Sequence, residues 1–232
     1  AERGWRVGGP AAYSWGRLAV GGHGGGAEGR GARLRVRVGV GSGGRWSAEG
    51  DDALHIVPDS KNLPAEFTET RFPVRIEKLA LATDSGGPGK RRGGLGYDKH
   101  IRLLRDAFFV STADRSILGP YGLAGGMAAP PYQATIDGWA PLPGMNDDVP
   151  LRAGSLLRLR TTGGGGWGDP FEREPELVLR DVLQGRVSEE SAERDYGVVV
   201  REGTIVELRR SGSREPRPFL DRGPGYERLR ER

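Results

Sequence analysis

Glycine sets the terms on which this chain can fold. Forty of its 232 residues are glycine, and many fall in runs: Gly21-Gly22-His23-Gly24-Gly25-Gly26, Gly86-Gly87-Pro88-Gly89, Gly93-Gly94-Leu95-Gly96, the Gly/Pro stretch 119–131, and Gly163-Gly164-Gly165-Gly166. A glycine loses more backbone entropy on ordering than any other residue, so each ordered run needs tertiary support. The hydrophobic fraction, 36%, is low for a self-sufficient core. The chain therefore reads as segments that lean on one another rather than as long autonomous helices.

The formal charge is +4, but it is unevenly spread. Residues 1–38 hold seven arginines and two acids, and the remainder is close to neutral. Phosphate affinity needs clustered cations. An Arg/Gly/Ala-biased stretch is more simply read as codon bias in GC-rich DNA, so no nucleic-acid partner is expected. Cysteine is absent, which removes disulfides, Cys-ligated zinc and a thiol nucleophile and suits a cytoplasmic setting. No apolar run approaches the roughly 20 residues of a membrane span, so no membrane partner is expected. No signal-peptide pattern opens the chain.

The patterning predicts an α+β fold, a β-rich body with long Gly-rich loops followed by a small helix-helix-strand unit. Residues 1–45 read as a poorly specified Gly/Arg-rich segment in which only 34–38 alternate like a strand. Residues 46–174 read as the β-rich core. An apolar run, Ala53–Val57, stops at Pro58. Strands are expected from Val74 and over Leu156–Thr161, with a hairpin joining Tyr97–Leu104 to Ala107–Ser111 around Arg105-Asp106. In 175–207, Pro175 opens a helix and Gly185 stops it; Ser188 caps a second helix that ends near Tyr196-Gly197, and Val198-Val199-Val200 is a strand. Residues 208–232 read as a charged, irregular tail.

Familiar chemical motifs fail one by one. Three G-x-G-x-x-G matches start at Gly24, Gly39 and Gly163, and none opens a convincing helix, as a dinucleotide site requires. Residues 84–91, Asp-Ser-Gly-Gly-Pro-Gly-Lys-Arg, break the P-loop pattern at Asp84 and Arg91. That turn, beside Lys90, Arg91 and Arg92, has two readings: an anion cradle, or a tight turn that needs glycine for φ > 0. His23, His55 and His100 form no metal-ligand pattern. No G-x-S-x-G elbow occurs.

Taken in order, the segments do match something. Asn62-Leu63-Pro64-Ala65-Glu66 leads to Glu69-Thr70-Arg71-Phe72-Pro73-Val74-Arg75, then to Asp84-Ser85-Gly86-Gly87-Pro88-Gly89 and Arg92-Gly93-Gly94-Leu95-Gly96. Gly119-Pro120-Tyr121-Gly122-Leu123-Ala124-Gly125-Gly126 and Gly163-Gly164-Gly165-Gly166-Trp167-Gly168-Asp169-Pro170 follow, then Pro175–Val182, Val187-Ser188 and Asp195-Tyr196-Gly197-Val198. This series resembles the C-terminal portion of the hydantoinase B/oxoprolinase family, which includes the B-type components of N-methylhydantoinases, part of 5-oxoprolinase, and acetone and acetophenone carboxylase subunits. The resemblance covers about 46–207, and Phe219–Tyr226 resembles the family's tail. Family members are longer, and residues 1–38 depart from them, with the bias that a wrong reading frame would give; a truncated or frameshifted reading frame is therefore expected.

The resemblance implies a subunit of an ATP-dependent hydrolase of a cyclic amide of the hydantoin or 5-oxoproline type, inactive alone. It implies ATP with Mg on a hydantoinase A-type partner subunit, a hetero-oligomer, a metal confined to the family's N-terminal half, and none held by this chain. Two other readings are a ketone carboxylase subunit and a non-catalytic remnant or assembly module. Because glycine lets a backbone approach a ligand closely, the loops are candidate donors to a developing negative charge. Asp84, Ser85, Gly86, Gly87, Arg92 and Gly94 are expected as one substrate-lining loop, and Gly164, Gly165 and Asp169 as a second. No catalytic residue is assigned.

Overall fold

A computed structural model describes residues 14–20, 32–54, 63–210 and 216–230. Two four-stranded antiparallel sheets face each other. The first has the order β2-β1-β5-β8, from β1 (Ser14–Val20), β2 (Ala32–Val38), β5 (Ala107–Ala113) and β8 (Met145–Leu151). The second has the order β3-β4-β9-β7, from β3 (Val74–Leu81), β4 (Tyr97–Leu103), β9 (Leu156–Arg160) and β7 (Gln133–Ile136). One buried cluster joins them: Leu34, Phe109 and Leu151 from the first sheet meet Val74, Ile101, Leu103, Leu157 and Leu159 from the second. A short helix, α1 (Ala65–Arg71), lies beside β3. The predicted α+β class holds.

The expected hairpin between β4 and β5 does not form. The chain steps at 104–106 from one sheet to the other; β4 pairs with β3 and β9, and β5 with β1 and β8. Both strands carry one apolar row, Ile101 and Leu103 on β4 and Ala107 and Phe109 on β5, and all four residues join the same core. Placing the strands in opposed sheets lets the rows face each other across the sandwich.

The stretch that composition set apart, 1–45, supplies β1 and β2. They pair over seven positions, and β1 pairs over its whole length with β5. The expected strand at 34–38 is thus present as 32–38, with a second one ahead of it. His23 and His55, and the apolar run beyond Leu54, lie outside the described residues.

The C-terminal unit follows its signals closely. Pro175 opens α2 (Pro175–Leu183), and Gly185 takes φ +67° just beyond it. Ser188 caps α3 (Glu189–Tyr196) by accepting from the Ser191 N–H, and Gly197 closes that helix at φ +63°. β10 (Val198–Arg201) then turns into β11 (Thr204–Leu208), an antiparallel partner that the sequence reading lacked. A second core of Val178, Val187, Ala192, Tyr196, Val198 and Val200 holds the unit together. The tail is not irregular throughout: β12 (Leu220–Asp221) pairs with β6 (Gly122–Leu123), and α4 (Pro224–Arg230) follows.

Candidate functional site

Between the sandwich and the C-terminal unit, the glycine-rich stretches form a bundle of laid-up threads. Residues 39–45, 48–54, 84–96, 119–129 and 161–168 run mostly outside regular strands and hydrogen-bond sideways to one another. Gly94 N–H donates to Ser42 O at 2.8 Å, Gly164 N–H to Gly94 O at 2.9 Å, Gly87 N–H to Gly164 O at 2.8 Å, and Gly166 N–H to Met127 O at 3.0 Å. A Cβ on Gly41, Gly87, Gly93, Gly94, Gly164 or Gly165 would fall within 3.0 Å of backbone atoms of the next thread. None of these six has a left-handed φ. The glycines of the 86–89 turn are therefore required by thread spacing, not by a positive φ; there the positive φ belongs to Asp84, at +61°.

This placement bears on each residue expected to line a site. The two loops do lie against each other: Gly163 N–H donates to Ser85 O at 2.9 Å, alongside the Gly87–Gly164 and Gly164–Gly94 bonds. The N–H groups of Gly87, Gly94 and Gly164 are thereby spent within the bundle, so the expected donors to a ligand are not these. The Ser85 hydroxyl is buried, donating to Ala82 O at 2.6 Å and accepting from Gly96 N–H at 2.9 Å. Asp169 caps the short turn Pro170–Glu172 and faces Arg217 at 3.4 Å. Asp84 Oδ1 accepts from Ser188 N–H at 2.8 Å, tying the bundle to the start of α3.

Arg92 sits in an ionic clamp that no sequence signal disclosed. Arg92 and Arg173 are 0% and 1% exposed, and Asp181 is 1% exposed. Arg173 Nη2 lies 2.7 Å from Asp181 Oδ2 and 2.5 Å from Glu49 Oε1. Arg92 approaches Asp52 at 3.5 Å, Asp181 at 3.6 Å and Glu49 at 4.0 Å. Arg186 completes Asp52 at 2.9 Å. Burial would push the Glu49 carboxyl up, but Arg173, with Arg92 and Arg180 behind it, holds it below its ordinary value. The partners come from 49–52, 92 and 173–186, too far apart in sequence to show a pattern. Lys90 is paired to Glu172 at 3.0 Å and Arg92 faces carboxylates, so two of the three cations expected of a phosphate cradle at the 84–92 turn are engaged elsewhere.

A pocket of about 170 Å³ opens where the bundle meets α3. Asp84, Gly86 and Pro88 form one wall, Met127, Ala128 and Pro130 a second, and Ser191, Arg194, Asp195 and Tyr196 a third. Arg194 grips Asp195 with two bonds, of 2.9 and 2.7 Å, and also reaches the Ser191 hydroxyl at 3.1 Å. The Asp195 carboxylate pushes the Arg194 guanidinium pKa up. The Tyr196 hydroxyl is buried without a hydrogen-bond partner among the described residues, and burial raises its pKa. Of the nine residues expected at a site, Asp84 and Gly86 line this pocket; Arg194, Asp195 and Tyr196 were missed, although Asp195-Tyr196-Gly197 carried part of the resemblance. Among the described residues, no group of three His, Cys, Asp or Glu side chains converges as a metal shell, and each clamp carboxylate faces guanidinium groups, although Asp181 Oδ1 has no hydrogen-bond partner among the described residues. These residues do not fit a bound metal. No helix among them is long and apolar enough to cross a membrane.

The sequence profile of the hydantoinase B/oxoprolinase family matches residues 8–170. The chain belongs to that family. The match begins inside the stretch suspected of a shifted reading frame, which speaks for the family's own frame from that point. The B-type component of a putative D-/L-hydantoinase from a Pseudomonas species is 31% identical over 175 residues, 73% of this chain and 30% of the relative. The ATP-dependent caprolactamase of Pseudomonas jessenii superposes with a TM-score of 0.70 at 25% identity, over 85% of this chain and 37% of its own. An acetone carboxylase structure shares the fold at a TM-score of 0.72 and 20% identity, over 97% of this chain and 34% of its own. The chain spans between a quarter and a third of the length of the curated relatives it matches first.

Proposed function

We propose that this chain is the C-terminal part of a B-type subunit in an ATP-dependent cyclic amidohydrolase of hydantoin, 5-oxoproline or related lactams. It would work with an ATP-binding A-type subunit in a hetero-oligomer. The observation that carries this reading is the pocket between Asp84 and α3. A cavity of about 150 Å³ accepts benzene, so the space of about 170 Å³ suits one small ring. Its walls are apolar at Pro88, Met127 and Pro130 and polar at Asp84, Ser191 and Arg194, the mixture that fixes a small ligand's orientation. A cyclic amide presents one N–H and one C=O side by side. The Asp84 carboxylate accepts from the former, and the Arg194 guanidinium donates to the latter. A lactam carbonyl is resonance-stabilised; phosphorylation of its oxygen on the partner side turns that oxygen into a leaving group. The role of this chain is to hold and orient the ring.

Co-purification with a candidate A-type subunit, followed by ATP hydrolysis with hydantoins, 5-oxoproline, caprolactam and small ketones, tests the reading. Lactam-stimulated turnover that Asp84→Asn weakens at the level of KM supports it. Stimulation by ketones with bicarbonate alone would replace it with the ketone carboxylase reading. A chain that joins a partner without stimulating ATP turnover would be an assembly module.

A further inference from the structure

We infer that a second ligand site, specific for a small monocarboxylate with an apolar or aromatic body, lies between the 115–123 loop and the C-terminal segment 219–226. A cleft of about 460 Å³ opens there, within the range of roughly 300–1,000 Å³ typical of small-molecule pockets. It shares no lining residue with the Asp84 pocket, so the inference is independent of the amide reading.

The lining is chemically one-sided. Leu118, Leu123, Leu220 and Phe219 supply apolar surface, and Tyr121 and Tyr226 supply aromatic surface. Among the described residues, the charged ones that line the cleft are Arg115 and Arg222, and no carboxylate does. Among the described residues neither guanidinium is ion-paired; Arg222 instead stacks on the Tyr226 ring at 4.6 Å. Arg115 is held at φ +60°, a conformation uncommon for a residue other than glycine, and its carbonyl accepts from Tyr132 N–H at 2.9 Å. Two cations without an ion pair among the described residues, over an apolar floor, favour a guest that brings one negative charge and a hydrophobic body.

The walls are fixed before any ligand arrives. Ala124 N–H donates to Phe219 O at 2.7 Å. Asp221 accepts from Ala128 N–H at 2.8 Å with one oxygen and from Gly223 N–H at 2.9 Å with the other. A Cβ at Gly225 would meet Ile117 O at 2.7 Å, so the start of α4 is seated tightly against the loop. Such preorganisation lowers the entropy lost on binding.

The test is calorimetric titration of the full chain with benzoate and phenylacetate, each beside its neutral amide. The acids are expected to bind at least about tenfold more tightly than the amides, consistent with a charge-assisted hydrogen bond. Arg115→Gln and Arg222→Gln should each weaken acid binding by about tenfold or more while melting like the unaltered chain. Absence of binding by both acids overturns the inference, as does equal affinity for acid and amide. So does full acid affinity in both folded variants. The acid-against-amide comparison uses only the unaltered chain and decides the matter even if a variant does not fold.

Discussion

Two neighbours on β4 show how one residue's surroundings set its cost. Asp98 points to the polar face of its sheet, where Lys78, Arg158 and His100 surround it at 2.8, 2.9 and 3.1 Å. Burial would push its carboxyl up; the hydrogen bonds from Arg158 and Lys78 win and hold it at about 2. Its folded pKa lies below its unfolded one, so the associated stability is complete above about pH 4 and is lost as pH falls toward 2. Urea denaturation between pH 2 and 6 should show that acid-side slope, and Asp98→Asn should flatten it. Lys99 points the other way, in the apolar row with its strand partners Leu79 and Leu159. It is 8% exposed, has no ion pair among the described residues, and burial pushes its amine pKa down. A depressed lysine destabilises the fold wherever the unfolded chain holds the extra proton, so stability rises with pH toward the unfolded pKa. Lys99→Met should therefore stabilise the chain at pH 7, by on the order of 1 kcal/mol, with the gain shrinking by pH 10. Thermal melts at the two pH values measure it.

The glycine threads make the corresponding case for an element. At Gly164 a Cβ would collide with the Ser42 carbonyl of the next thread, and the atoms it would meet are all backbone of Ser42 and Gly43, so no side chain can swing aside to relieve it. Gly164→Ala should cost about 3 kcal/mol or more, as overpacking of a closed site does at its upper end. Gly138, at φ +79° with nothing within 4 Å of its would-be Cβ, should lose only about 1 kcal/mol as alanine, through backbone strain alone. Paired denaturant titrations separate the two kinds of glycine. This distinction is what the sequence could not display. Pro175, Ser188 and Gly197 announce helix ends because capping is local chemistry, and they were legible. Whether a glycine run serves turn geometry or thread spacing depends on what lies alongside, and neighbours such as Ser42 and Gly164 are remote in sequence. β7 and β8 were missed for a related reason: Met145-Asn146-Asp147-Asp148-Val149-Pro150-Leu151 has three consecutive polar residues and a proline instead of an alternating pattern, and its pairing with β5 makes it a strand. The candidate site was half legible. Asp84 and Gly86 stood out in a Gly-rich turn, whereas Arg194 and Tyr196 looked like ordinary helix residues.

At the scale of the molecule, the question is what keeps the C-terminal unit in register with the bundle, since the pocket has walls from both. Several links cross the boundary, among them the bond from Ser188 N–H to Asp84 Oδ1, those from Asp84 N–H to Arg186 O and from the Thr83 hydroxyl to Gly185 O, and the clamp. In the clamp, Asp181 belongs to α2, Glu49 and Asp52 to one thread, and Arg92 to another. A buried ion pair contributes little net stability over an apolar alternative, but removing one partner leaves an uncompensated charge and costs roughly 3–5 kcal/mol. Asp181 is shared by Arg92 and Arg173, both inaccessible to water, so Asp181→Asn leaves two buried guanidinium groups with only Glu49 and Asp52 opposite them and should fall toward the low end of that range. Arg180, half-exposed and 3.7 Å from Glu49, is the control: Arg180→Gln should cost under about 1 kcal/mol. The location of the damage is as informative as its size. If the clamp is what registers the two parts, hydrogen exchange in Asp181→Asn should accelerate across α2, α3 and β10 while the sandwich strands β4 and β9 stay protected. Uniform acceleration throughout would mean instead that bundle, sandwich and helical unit unfold as a single cooperative body, with Asp181 contributing to all of it.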